Sequence, residues 1–236
     1  MFGELQVIYE DNHLIAVNKP SGWLVQGDAT QDMPISELVK LYIKERYNKP
    51  GDVWLGTIHR LDRPVSGVLL FARTSKALER MNRLFQDRKV EKTYLAITEE
   101  RPKELEGELT HFLMKDNERN ITTAFTRQKY KNSKLAVLKY ELLSSIGDHH
   151  LLKVNPKTGR PHQIRVQLAK MGCHIRGDRK YGAERRNKDR RIHLHSYSLS
   201  FIHPVKKEPV KIVGHIPRNQ IWALFEGAIE DYENGQ

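Results

Sequence analysis

A chain of 236 residues with a single cysteine can bury a substantial core and cannot close an internal disulfide. Its 40 Lys and Arg against 29 Asp and Glu leave a net charge of +11, which favours a polyanionic partner, nucleic acid being the first candidate. No apolar run approaches a membrane span, and the start Met1-Phe2-Gly3-Glu4 lacks the parts of a signal peptide, so a cytoplasmic protein with no membrane partner is expected.

Val7-Ile8-Tyr9 and Leu14-Ile15-Ala16-Val17, separated by Asp11-Asn12, read as a hairpin leading into the turn Asn18-Lys19-Pro20-Ser21-Gly22. Ile35, Leu38, Val39, Tyr42 and Ile43 recur with helical spacing and predict an amphipathic packing helix between Pro34 and Tyr47. The stretch His59-Arg60-Leu61-Asp62-Arg63-Pro64-Val65-Ser66-Gly67 then sets a carboxylate between two arginines at a turn, and Val68-Leu69-Leu70-Phe71-Ala72 reads as a buried strand leaving it. The flanking arginines favour the ionised carboxylate, which suits a nucleophile or a base and equally suits a plain salt-bridge partner.

Thr74 or Ser75 can cap a helix whose apolar face is Leu78, Met81, Leu84 and Phe85 and whose other face carries Lys76, Arg80, Arg83, Arg88 and Lys89. Glu91 to Ile97 has strand composition and includes Tyr94, which alone reads as a core tyrosine with a wet hydroxyl. Strands are expected at Gly107–His111, Leu135–Tyr140 and Leu151–Val154, joined by polar loops. Ile164, Leu168 and Met171 fall on one face of a helix that Gly172 can end, and Arg165 lies about 100° around from Ile164, toward a cleft. The basic loop from Glu184 to Arg191, with Arg185 and Arg186, suits a phosphate backbone or plain solvent. Ile192 to Phe201 alternates as a strand that puts His193 and His195 on one face, without a clear third metal ligand. Ile221, Leu224, Phe225 and Ala228 predict a closing helix, and no internal repeat or low-complexity linker forces a domain boundary.

Four blocks, Lys19-Pro20, His59 to Gly67, Lys92 to Ala96 and Thr158 to Gly182, together resemble the RluA-type pseudouridine synthases, in the same order and over most of the chain. Val65 departs from that pattern, where threonine is common. The resemblance implies an α+β fold, a large, mainly antiparallel mixed sheet with flanking helices and a central catalytic cleft. It further implies one catalytic domain over residues 1–236, with no added S4 domain, acting as a monomer. The implied reaction converts uridine in rRNA or tRNA to pseudouridine, with no cofactor and no metal. Asp62 would be the catalytic carboxylate, Tyr94 would lie against the uracil, and Arg165 would pair with Asp62. RNA contacts are expected from Lys19, His59, Arg60, Arg63, Arg160, His162, Gln163, Arg185 and Arg186, Arg63 also being placed to fill the space of a flipped base. Two competing classes remain: a catalytically silent RNA-binding or ribosome-assembly protein, and a metal-dependent nuclease suggested only by the 11 histidines.

Overall fold

The computed structural model describes residues 5–27, 31–187 and 191–235. The N-terminal residues Met1 to Glu4 and the Lys188, Asp189 and Arg190 part of the basic loop lie outside the described residues. In chain order the elements begin with β1 (Val7–Glu10), β2 (Leu14–Lys19), α1 (Ile35–Arg46), β3 (Gly56–Thr57), β4 (Ser66–Ala72) and α2 (Ser75–Gln86). They continue with β5 (Glu91–Thr98), β6 (Glu106–Asp116), β7 (Ile121–Phe125), β8 (Lys134–Ile146), β9 (His149–Pro156) and α3 (Gln163–Met171). After a short 3₁₀ turn at Arg179–Tyr181 come β10 (Leu194–Ile202), β11 (Pro209–Val213), α4 (Gln220–Ala223) and α5 (Glu226–Asn234). The pairs β1–β2, β2–β4, β3–β4, β10–β11, β5–β9, β8–β9, β6–β8 and β6–β7 are antiparallel, so the expected α+β class with mainly antiparallel strands is observed. No helix of the described residues is long and apolar enough to cross a membrane.

The chain divides into two compact units, residues 1–92 with 196–215 and residues 93–195 with 216–236. In the first, the strands run in the order β1-β2-β4-β10, with β11 beside β10. Every residue of β4 is buried, which accounts for its unbroken apolar run: both faces of the strand are covered. Leu14, Ala16, Val68, Leu70 and Ala72 share one cluster with Ala77 and Met81 of α2. Thr74 is the cap of that helix, its side chain accepting from Ala77 N–H at 3.2 Å. Asp11 shapes the β1–β2 turn, one carboxylate oxygen accepting from His13 and Leu14 N–H, both at 2.8 Å.

The second unit orders its strands β5-β9-β8-β6-β7. Val166 of α3 packs with Leu113, Ala124 and Ala136 from three neighbouring strands of that sheet. Three strands depart from expectation, among them β3, which is only two residues long. The stretch holding β7 reads as polar loop because its inward residues are Thr122 and Ala124 while Ile121 faces out, and β11 is a short strand opening on proline. The single closing helix is instead the pair α4 and α5, with Asn219 capping the first through Ile221 and Trp222 N–H at 3.0 and 3.1 Å.

Gly67 occupies a conformation, φ +112°, that side-chain-bearing residues rarely adopt, and a Cβ there would collide with the Ser196 backbone. Gly67→Ala should destabilise the protein by about 2 kcal/mol or more, read as a lower urea midpoint. An unchanged midpoint would contradict this packing.

Candidate active site

In the first unit Lys19 pairs with Gly67 across β2 and β4. The turn that follows β2 and the turn that precedes β4 therefore meet at one end of the strand pair. Lys19 is 0% exposed, and its ammonium donates to the carbonyls of Trp23 at 2.8 Å, Pro20 at 3.0 Å and Arg63 at 3.2 Å. Gly22 N–H donates to Arg63 O at 2.7 Å, the Ser21 hydroxyl donates to Pro64 O, and Val65 N–H closes the turn on Asp62 O at 3.0 Å. Asp62 thus sits, half-buried, at the head of a turn whose next two carbonyls are tied to its neighbour. Burial pushes the Lys19 ammonium down to about 7; the negative charge of Asp62 opposes this and the positive charge of Arg63 adds to it.

His59 stacks on Phe85 with ring centroids 5.4 Å apart, and its Nε2 accepts from Leu70 N–H at 3.0 Å. Accepting there fixes the unprotonated nitrogen, and burial, with the charge of Lys92 adding, pushes the imidazole down to about 4. Lys19 and His59 were expected at RNA; Lys19 is buried with its ammonium committed to backbone carbonyls, and His59 is half-buried with Nε2 taken by the Leu70 N–H. Arg60 is exposed. Arg63 is exposed as well, but donates to Gly22 O at 3.0 Å and pairs with Asp32 at 2.6 Å.

The second unit builds its polar cluster around α3. His162 enters the helix with φ 54°, and Gln163, 4% exposed, accepts from the Thr158 hydroxyl at 2.7 Å and Arg160 N–H at 3.0 Å while donating to Val137 O at 3.1 Å. Gln163 is thus a structural clasp and not an outward RNA contact. Arg165 was expected to reach into a cleft from one side of the helix. It is 5% exposed, because Gln163 through Leu168 are all buried and the helix has no solvent side there. Its guanidinium forks onto Asp178 at 2.7 and 2.8 Å, with its carbon 5.0 Å from the Tyr181 ring centroid. The Tyr181 hydroxyl accepts from Thr122 N–H at 2.9 Å and lies 2.6 Å from His162 Nδ1. Burial raises the pKa of this phenol, against the lowering effect of the Thr122 N–H and of Arg165.

Asp178 and Tyr181 were visible in the sequence as part of the third block, without roles; the bidentate bond and the ring contact supply them. Tyr94 is half-buried on β5 opposite Val154. Arg160 is half-buried, Arg186 is exposed, and Arg185 pairs with Asp148 at 2.7 Å on the surface. His193 and His195 both lie against Trp222, at 5.9 and 6.0 Å between centroids, and no group of three or more His, Cys, Asp or Glu among the described residues is arranged to hold a metal.

Removing one partner of a buried, bidentate ion pair is strongly destabilising, so Asp178→Ala should cost about 3–5 kcal/mol in urea unfolding. A cost below about 1 kcal/mol would mean that Arg165 does not depend on this carboxylate. The His59 pKa in the folded chain is below its ordinary value of 6.5, so the unfolded chain binds the extra proton as pH falls toward about 4. The contribution is therefore present above pH 6.5 and is lost between 6.5 and about 4. Replacing His59 by Gln should flatten the pH dependence of the urea midpoint in that window, and an unaltered slope would place the titration elsewhere.

The family model for RNA pseudouridylate synthase matches residues 13–170. A ribosomal large subunit pseudouridine synthase C of Rickettsia bellii is 35% identical over 76% of this chain and 57% of its own length. The chain therefore spans little more than half of that relative, and 55% of the Rickettsia felis protein of the same name. A tRNA pseudouridine synthase C of Vibrio parahaemolyticus is 31% identical over 94% of this chain and 96% of its own. Among solved structures, Human RNA Pseudouridylate Synthase Domain Containing 4 superposes with a TM-score of 0.74 at 25% identity, covering 97% of this chain and 93% of that one. A family match over most of the chain, a relative matched nearly end to end and a shared fold lead to one conclusion: the chain belongs to the RNA pseudouridylate synthase family.

Proposed function

We propose that this chain isomerises uridine to pseudouridine in rRNA or tRNA, in the cytoplasm, as a monomer and without metal or cofactor, with Asp62 as the reacting carboxylate. The observation that carries the reading is the buried Lys19 ammonium, whose bonds to Trp23, Pro20 and Arg63 carbonyls fix the turn that presents Asp62. A carboxylate held in one geometry meets the requirement of the reaction, since orientation set before the substrate arrives need not be gained during the chemistry.

Breaking the uridine N1–C1′ bond, turning the ring and joining C5 to C1′ leaves one proton to be lost from C5. Asp62 can take the ribose 2′ proton to give a glycal-like intermediate, attack C1′, or add to C6, and a carboxylate serves all three. Tyr94 is assigned to the face of the uracil and Arg165 to the charge of Asp62, both on the strength of the family motifs that contain them. A uridine within a helix must leave the stack before any of these groups reaches it.

Loss of the C5 proton gives the test. Cellular RNA labelled with [5-³H]uridine should release tritium with the intact protein, with or without EDTA, and release none with Asp62→Asn. Tight RNA binding without release by the intact protein would favour a silent RNA-binding protein, and release abolished by EDTA would favour metal chemistry.

A further inference from the structure

The second unit contains a cavity of about 170 Å³ that none of the proposed catalytic residues lines. Its wall takes Lys115 from β6, Thr122 from β7, Lys134 from β8, Asn132 just before it, and Arg160 from the turn leading to α3. The strand register explains the convergence: Leu113 on β6 pairs with Ala124 on one side and Lys134 on the other, so one end of three strands opens onto the 158–162 turn. Three cations line the space and no carboxylate does.

We propose that this cavity is a subsite for a backbone phosphate of the RNA, a reading that rests on the proposed RNA substrate and adds to it where the strand is gripped. Like charges facing one small space repel, and a phosphodiester entering it relieves the repulsion while receiving charge-assisted hydrogen bonds. The lining is held in advance. Arg160 donates through Nε to Leu135 O at 3.1 Å and through its N–H to Gln163 at 3.0 Å, leaving the outer guanidinium nitrogens for a ligand. Lys115 bonds Asn120 and lies 3.5 Å from His162 Nε2, and the Thr122 hydroxyl donates to Pro161 O at 3.1 Å. Thr122 N–H also bonds the Tyr181 hydroxyl, so the hairpin that walls the cavity holds the ring lying over Arg165. A phosphate bound here therefore bears on the element that positions Arg165.

The test measures the affinity of the full chain for a uridine-containing stem-loop RNA across a series of KCl concentrations. Each lost phosphate contact lowers the slope of log K against log[KCl] by roughly 0.7–0.9. Lys134→Ala should lower the slope by one such step, Lys134→Arg should restore it, and Asn132→Ala should weaken binding with the slope retained. Lys134 is exposed, so its removal leaves the fold intact, and an unchanged urea midpoint verifies this. Wild-type slopes in every variant would overturn the proposal. So would Lys134-dependent binding of inorganic phosphate or uridine monophosphate combined with an unaltered RNA slope, which would assign the cavity to a free phosphate. Because the readout is RNA affinity, it stands apart from isomerisation: a chain that binds with the expected slopes but releases no tritium loses its proposed activity and keeps this subsite.

Discussion

A lysine with no exposed surface, its ammonium shared among three backbone carbonyls, is the constraint on which the first unit depends. Burying an ammonium is costly unless each of its donors is used. Here the antiparallel pairing of β2 and β4 brings together the two turns that supply the acceptors, and the backbone of the Asp62 turn becomes one of them. Gly22 and Ser21 add bonds of their own to Arg63 and Pro64, so the short turn after β2 acts as a frame for the turn before β4. Gly67 completes the frame by letting β4 begin hard against Ser196.

The second unit buries a cation as well, but meets it with a carboxylate in place of backbone carbonyls. Arg165 lies in the buried first part of α3, Gln163 to Leu168, and Asp178 meets its fork with two short bonds while the Tyr181 ring covers it. Polar residues along that buried stretch bond backbone groups of the sheet, Gln163 at the helix entrance donating to Val137 O at 3.1 Å and Gln167 farther along donating to Leu109 O at 3.0 Å, while the Gln167 Oε1 is left buried without a partner. Such networks specify one arrangement of a helix on a sheet more narrowly than apolar contact alone.

Much of this was legible in the chain. The unbroken apolar run of β4, the spacing behind α1 and α2 and the ending of α3 at Gly172 each follow from a local rule that the structure obeys. The hidden parts have definite physical causes. Periodicity assigns Arg165 to an outer face only if the helix has one, and α3 has none over its first two turns. The turn residues around Lys19 locate it but do not reveal that its side chain folds back onto the carbonyls of its own and a distant loop. Of the residues named for RNA on charge and motif, Lys19 and Gln163 turn out to be committed to the interior, because a buried backbone group competes for the same donors and acceptors that a phosphate or base would use. The basic residues that do face an open space, Lys115, Lys134 and Arg160, come from segments far apart in sequence that only the strand register unites.

The role of Asp62 in uridine isomerisation is open to a test in the cell. Pseudouridine would be mapped across total rRNA and tRNA in the source organism with the gene intact, deleted, or replaced by the Asp62→Asn form. That role requires one or more positions to revert to uridine on deletion and to remain uridine with Asp62→Asn. Pseudouridine restored by the Asp62→Asn protein, or no position changed by deletion, would contradict it.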